Sequence, residues 1–413
     1  MAISGATRST SGWRTPGVII VCGCLMAILT FGPRSTFGFF LQPMTQEFGW
    51  GRDVFALAVA IQNLLWGAAQ PFAGAVADRF GTIRSLCVGA VLYAAGLVLM
   101  SYSTTPGMLQ LSAGVLIGFG LAGASFTIVL AAFGKLLPDS WRSFAFGAGT
   151  AAGSFGQFLF SPLAVVLLGA VGWHVTLVIF AVLVLFCIPL AFAVATPPQE
   201  TSALAAALRP QSFREALGEA FGHRSYLLLT LGFFTCGFHV AFITTHLPPY
   251  LVDKGLDAKW GGWVIAFIGL FNIIGSITAG ILGTRLPKRY LLSTIYFLRA
   301  VAIAVFMLVP VTPVSALGFG AAMGILWLST VPLTSALVAL MFGVRYMATL
   351  FGFVFFSHQL GAGIGVWLGG LLYERTGSYD VVWWLGAALG IFAALVNLPI
   401  RERPVERLAA VPA

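Results

Sequence analysis

The sequence predicts an all-α, polytopic membrane protein with twelve transmembrane helices in two six-helix halves. Three observations carry that expectation. First, 59% of the 413 residues are hydrophobic and only 8% are charged, against roughly 25% charged in soluble domains. No core could hide so much apolar surface from water, so lipid must be part of the solvent. Second, apolar runs long enough to cross a bilayer, about 20 residues each, recur along nearly the whole chain. Third, the positive charges sort to one side of the spans so defined.

In order, the spans are expected at 16–41, 53–77, 83–103, 107–136, 142–170 and 173–195 in the first half. Those of the second half are expected at 225–251, 259–284, 289–309, 314–342, 346–373 and 380–400. The first follows Arg8 and Arg14, is too long for a signal-peptide core and has no small-residue cleavage site after it, so it is kept as a span. An even count puts both termini on one side. Sixteen of the 22 Lys and Arg then fall on that side, including Arg79, Arg84, Arg142, Arg224, Lys288 and Arg289. Four (Arg52, Lys254, Lys259 and Arg375) fall on the other, and Arg34 and Arg299 fall within spans. The bias predicts cytoplasmic termini, in a plasma membrane or bacterial inner membrane.

The longest polar stretch, Thr196 to Arg224, divides the chain into a bundle at 1–195, a cytoplasmic linker at 196–224 and a bundle with a short tail at 225–413. Within it FREALGEAF has the pattern of a surface helix, although an ordinary solvated linker is expected. The halves echo each other. GAVADRFGTIR begins at Gly74 and GILGTRLPKRY at Gly280, each after the second span of its half. Such repeats place a site at the bilayer midplane between two rocking bundles.

Other chemistry is excluded or discounted. The five cysteines lie in apolar segments without a CxxC pair, so no disulfide framework or metal site is expected. The +9 net charge forms no basic run, which argues against nucleic acid. GFGLAG at Gly118–Gly123 matches a dinucleotide fingerprint but lies inside a span with no preceding strand, and Gly149 and Gly153 have helix-packing spacing. No HExxH or GxSxG element suggests an enzyme, and no nucleotide-binding loop or cofactor is expected.

Gly74, Asp78, Arg79, Gly81 and Arg84 resemble the loop signature of the major facilitator superfamily between its second and third helices. The resemblance covers the whole chain and implies the major facilitator fold. It also implies a cytoplasmic gate involving Asp78, Arg79 and Arg84, with Arg142 of SWRSFAFG resembling the basic residue that partners the acid. The second copy of the signature carries Thr284 where Asp would sit. Within the superfamily, GPRSTFGFFLQPMTQEFGW resembles the end of the first helix of monocarboxylate transporters and their bacterial relatives. GFHVAFITTHLPPY and SHQLGAGIGVWLGGLLYERTGSYD look like bacterial members. The acidic signature before the first helix is reduced to SGW at Ser11–Trp13, and the eighth helix has Asn272 in place of an Asp and Arg pair.

None of the thirteen acidic residues, from Glu47 through Glu200 to Glu406, falls at membrane depth on these spans. A buried charge needs a partner or water, so Arg34 is expected to take its counterion from an anionic substrate, in a charge-assisted contact. The alternative is an Arg that snorkels to the interface or caps carbonyls near Pro33. Arg299 is expected to make a structural bond to backbone or a polar neighbour. With no acid available, His239 is the expected proton carrier, with His358 as its companion, the alternative being a neutral His239 bonded to a helix carbonyl. Thr235, His239, Phe242 and His246 share one face of the seventh span. Asn272, Gln359, Gln157 and Gln62 line the passage or bond helix to helix.

The expected function is a secondary transporter, monomeric, moving a small organic anion such as a monocarboxylate with a proton by alternating access. Substrate-binding candidates are Arg34, His239, His358, Asn272 and Gln359. Three rivals stay open: an anion exchanger, a carrier of a larger or uncharged solute such as a vitamin, aromatic compound or drug, and a membrane sensor without transport.

Overall fold

The computed structural model describes residues 12–197, 212–343 and 346–405. Arg8, Ser11, Glu200, Glu406 and much of the predicted linker lie outside the described residues. Among those described the regular structure is helical, and the expected spans recur in order.

The first span runs Pro16–Ser35, breaks at Thr36 and Phe37, and continues as Gly38–Phe48. Pro33 precedes the break; it has no N–H to donate and crowds the preceding turn. The hydroxyls of Ser35 and Thr36 turn back onto the carbonyls of Gly32 and Pro33, each at 2.7 Å. The second and third spans are Arg52–Phe80 and Thr82–Ser101. The fourth, from Pro106 to Leu136, holds a π-helical turn at Gln110–Leu116. Within that turn the Ala113 carbonyl accepts Gln62 Nε2 at 2.7 Å, so Gln62 bonds helix to helix.

The fifth and sixth spans form one helical run, Asp139–Leu185, interrupted at Gly172. Its φ of 75° is open to glycine and strained for other residues, which is why the join falls there. The second half comprises Arg224–Asp253, Ala258–Arg285, Lys288–Leu308, Pro313–Leu326 with Thr330–Phe342, Met347–Thr376 and Asp380–Asn397. The tenth span breaks where Pro332 cannot donate to the Leu328 carbonyl.

One expectation is corrected. FREALGEAF is not plain linker: Phe213–Gly222 is a helix, started by a reciprocal capping box between Ser212 and Glu215. Its apolar side packs onto the second half, with the Phe221 ring 5.8 Å from Tyr226 and 5.4 Å from Phe353. Burial of that side holds a helix too short to stand alone.

Across the halves, the second span packs along the eleventh and the fifth along the eighth. Close approach there depends on missing side chains. A Cβ at Gly38 would strike the Thr244 carbonyl oxygen of the seventh span. One at Gly370 would lie 2.8 Å from the Arg52 carbonyl oxygen.

Candidate functional site

The break in the first span puts Arg34 one turn from a disrupted helix end, facing the second span. Its side chain is buried, with the residue 8% exposed, and Nη2 donates to Asn63 Oδ1 at 3.0 Å. Asn63 Nδ2 in turn donates to the Val59 carbonyl at 2.8 Å, which fixes its amide oxygen toward the guanidinium. Arg34 Nε has no partner, and no carboxylate pairs with this side chain among the described residues. The Phe37 ring centroid lies 5.7 Å from the guanidinium carbon. A full positive charge is thus held among an amide and aromatic rings, where an incoming anion would be strongly favoured.

One turn toward the termini along each facing helix, half-buried aromatics form a wall from both halves. Phe31 and Trp66 meet at 6.1 Å, Trp66 and Phe355 at 5.7 Å, and Phe31 and Phe126 at 6.3 Å. His358 stacks on Phe355 and bonds Gln359 Oε1 through Nδ1 at 3.0 Å. The Gln359 side chain lies against Gly67, one turn from Asn63, and its Nε2 is buried without a partner. The structure therefore gathers Arg34, Asn63, Trp66, Phe355, His358 and Gln359 along the seam of the second and eleventh spans.

His239 and Asn272 stand apart from this group. His239 Nε2 meets the Gly386 carbonyl of the twelfth span at 2.7 Å, and its helix face packs inside the second half. Phe242 lies 4.9 Å from Trp383, and His246 contacts the Val366 carbonyl at 2.8 Å and Tyr379 Oη at 3.1 Å. Asn272 donates to Ser154 Oγ at 2.8 Å and accepts the Leu328 N–H at 2.9 Å. Its amide is thus committed to the fifth span and to the break in the tenth. Gln157 donates to the Ile265 carbonyl at 3.1 Å.

Arg299 serves the same break. It is fully buried and donates from Nε and Nη2 to the Leu326 carbonyl at 3.0 and 2.7 Å, and from Nη2 to the Trp327 carbonyl. These carbonyls end Pro313–Leu326, where the helix dipole is negative. Backbone oxygens and that dipole face the charge, as the structural reading expects, and Nη1 alone is left buried without a partner.

On the face bearing the termini, Asp78 pairs with Lys135 of the fourth span at 2.6 Å. Arg79 and Arg84 both lie over the Phe80 ring, at 5.3 and 5.4 Å, and Arg142 donates to the Leu137 carbonyl at 3.0 Å. On the opposite face the halves are tied by a network that the sequence reading missed. Arg52 grips Asp253 with both terminal nitrogens, at 2.7 and 2.8 Å, and donates to Tyr379 Oη at 3.0 Å. The Arg52 backbone N–H donates to Glu374 Oε1 at 2.7 Å, and Gln42 Nε2 to Asp253 Oδ1 at 3.2 Å. The Arg52 guanidinium carbon sits 3.8 Å from the Tyr373 centroid.

Asn63 was also missed: Gln62, its neighbour, drew attention instead, although one residue turns the side chain about 100° around a helix. The Arg52 network had no local signal, because its members come from four chain regions and look like ordinary loop charges.

Solved structures share this architecture. The D-xylose–proton symporter superposes with a TM-score of 0.75 at 15% identity, covering 94% of this chain and 98% of that one. In sequence, an uncharacterised MFS-type transporter YcxA of Bacillus subtilis is 28% identical over 358 residues, 84% of this chain and 86% of that protein. Monocarboxylate transporter 13 of Rattus norvegicus is 24% identical, covering 94% of this chain and 89% of its own. The profile of the Major Facilitator Superfamily matches residues 23–362. With the twelve spans and the halves packed along paired helices, the match shows that the chain belongs to the Major Facilitator Superfamily.

Proposed function

We propose that this protein carries a small organic anion, a monocarboxylate in the first instance, together with a proton, by alternating access. The observation that carries the reading is Arg34: a buried guanidinium whose polar neighbour is the neutral amide of Asn63. A substrate carboxylate would supply the missing charge in a charge-assisted, two-pronged contact. The similarity to a monocarboxylate transporter supports the same class.

In this proposal Arg34 holds the carboxylate, Asn63 aims the guanidinium through its amide oxygen, and Gln359 Nε2 supplies a further donor. His358, at the edge of the aromatic wall, takes the co-transported proton, with His239 as the second candidate. Asn272 acts on the tenth span's shape rather than on substrate. Carrying the anion with a proton cancels its charge and lowers the barrier to moving it past the aromatic wall. Rocking of the bundles 1–195 and 225–413 about the seam would expose the site alternately. The Arg52–Asp253 tie closes one face, and the group of Asp78, Arg79, Arg84 and Arg142 contributes to closing the other. The bias of Lys and Arg supports cytoplasmic termini in a bacterial inner membrane, and a monomer suffices for this mechanism.

Uptake of labelled lactate, pyruvate, acetate and oxalate into vesicles, with and without an inward proton gradient, tests the reading. Gradient-driven accumulation of at least one monoanion that is lost in Arg34→Ala is expected. Accumulation at wild-type rate and affinity in that variant would eliminate the clamp. The wall of Phe31, Trp66, Phe126 and Phe355 favours one alternative, a larger aromatic solute. Riboflavin in the same panel separates the two.

A further inference from the structure

We infer that the terminus-bearing end of the second half holds an anionic phospholipid headgroup. The loop between the eighth and ninth spans and the chain after the twelfth border an open cleft of about 830 Å³, lined by Arg285, Lys288, Arg289, Arg401 and Arg403. Among the described residues Glu402 is the acidic one in that lining, so the excess there is four positive charges, five minus one.

The repeat shows where the two halves differ. In the first half the equivalent loop carries Asp78, which neutralises Lys135. In the second half the matching position is Thr284, whose hydroxyl bonds the Ile281 carbonyl of its own helix at 2.7 Å. The cations therefore have no acid where the first copy provides one. Glu402 is already engaged, accepting the Arg289 backbone N–H at 2.8 Å. The Arg289 side chain donates to the Ile400 carbonyl at 3.3 Å and to Tyr290 Oη at 2.9 Å, so Arg289 shapes the cleft. The side chains of Arg285, Lys288, Arg401 and Arg403 make no ion pair or hydrogen bond among the described residues.

Position selects the occupant. The cleft lies at the ends of membrane-spanning helices, and Leu286 lines it while Ile281 and Tyr290 are exposed beside it. A phosphodiester would meet the guanidinium groups, and its acyl chains would continue down the apolar side of the eighth and ninth spans. A free inorganic anion would use the cations but leave the apolar flank unfilled. Clusters of Lys and Arg just outside a transmembrane helix attract anionic headgroups.

The test uses the purified full chain, with retained lipid read by native mass spectrometry during titration with phosphatidylglycerol or phosphatidylcholine. Wild type is expected to retain phosphatidylglycerol selectively. In the triple variant Arg285→Gln, Lys288→Gln, Arg403→Gln retention should weaken by about fivefold per charge removed. A control with the same charge change on the opposite face (Lys254→Gln, Lys259→Gln, Arg375→Gln) should behave as wild type. Equal retention by the triple variant and wild type, or an equal loss in the control, overturns the proposal. So does displacement of the lipid by inorganic phosphate at equal concentration. Should the triple variant unfold, Arg285→Gln and Arg403→Gln alone give the same reading, and undiminished retention in both overturns it.

Discussion

Arg52, the first residue of the second span, and Asp253, the last of the seventh, form a two-pronged ion pair that joins the halves across the face remote from the termini. It is partly shielded from solvent, with side chains 12% and 26% exposed. It also stacks on Tyr373 and bonds Tyr379, so it is screened less than a surface pair.

Breaking this tie should favour opening of that face. Asp253→Asn is expected to raise the fraction of molecules open there, read by single-molecule energy transfer between labels on the two halves. Arg52→Gln should act alike. The coupling energy of the pair in a double-mutant cycle is expected at about 1–3 kcal/mol. An unchanged distribution in both variants would remove the gate assignment.

The charge vacancy at Arg34 gives a sharper prediction than its removal. Asn63→Asp would place an internal carboxylate where the amide oxygen now stands, 3.0 Å from Nη2. The protein should fold, yet anion uptake should fall at least as far as in Arg34→Ala. Asn63→Ala should raise KM by about tenfold, the worth of one hydrogen bond to a charged group. Wild-type uptake by Asn63→Asp would show that substrate does not use this guanidinium.

Arg299 should behave in the opposite way. Arg299→Met is expected to destabilise the fold by about 2–4 kcal/mol, because the carbonyls at the break of the tenth span lose their buried donor. Heat unfolding in detergent should register that loss, while KM in folded molecules stays near wild type. A selective rise in KM without loss of stability would contradict the structural role.

The two histidines separate by environment. His358→Gln is expected to abolish gradient-driven uptake while sparing exchange of substrate across the membrane. His239→Gln, which keeps a donor toward the Gly386 carbonyl, is expected to alter stability more than coupling. The reverse pattern would move the proton to His239.

The capping box makes a pH prediction. Glu215 accepts the Ser212 backbone N–H at 2.7 Å, which lowers its carboxyl from the usual range. The stabilisation is fully present above the ordinary carboxylate pKa and is lost as pH falls through the lowered folded value. Hydrogen-exchange protection at the start of Phe213–Gly222, taken relative to the intrinsic rate at each pH, should therefore fall in acid. Glu215→Gln should flatten that dependence. Exchange with the same pH profile in both would show that the box does not hold the helix.

The sequence alone determined the twelve spans and the absence of an acid at membrane depth on those spans. Each follows from local chemistry, apolar run length and the placing of charge; the breaks beside Pro33 and Pro332 became visible only in the structure. The sequence also showed that Thr284 replaces the acid of the repeat. Only the tertiary structure decided that Asn63 rather than Gln62 meets Arg34, that Arg52 finds Asp253, and that Arg299 and Asn272 serve the same break. These pairings join side chains distant along the chain. They depend on the packing and rotation of helices about their axes, which glycine contacts such as Gly38 on Thr244 and Gly67 on Gln359 help to fix.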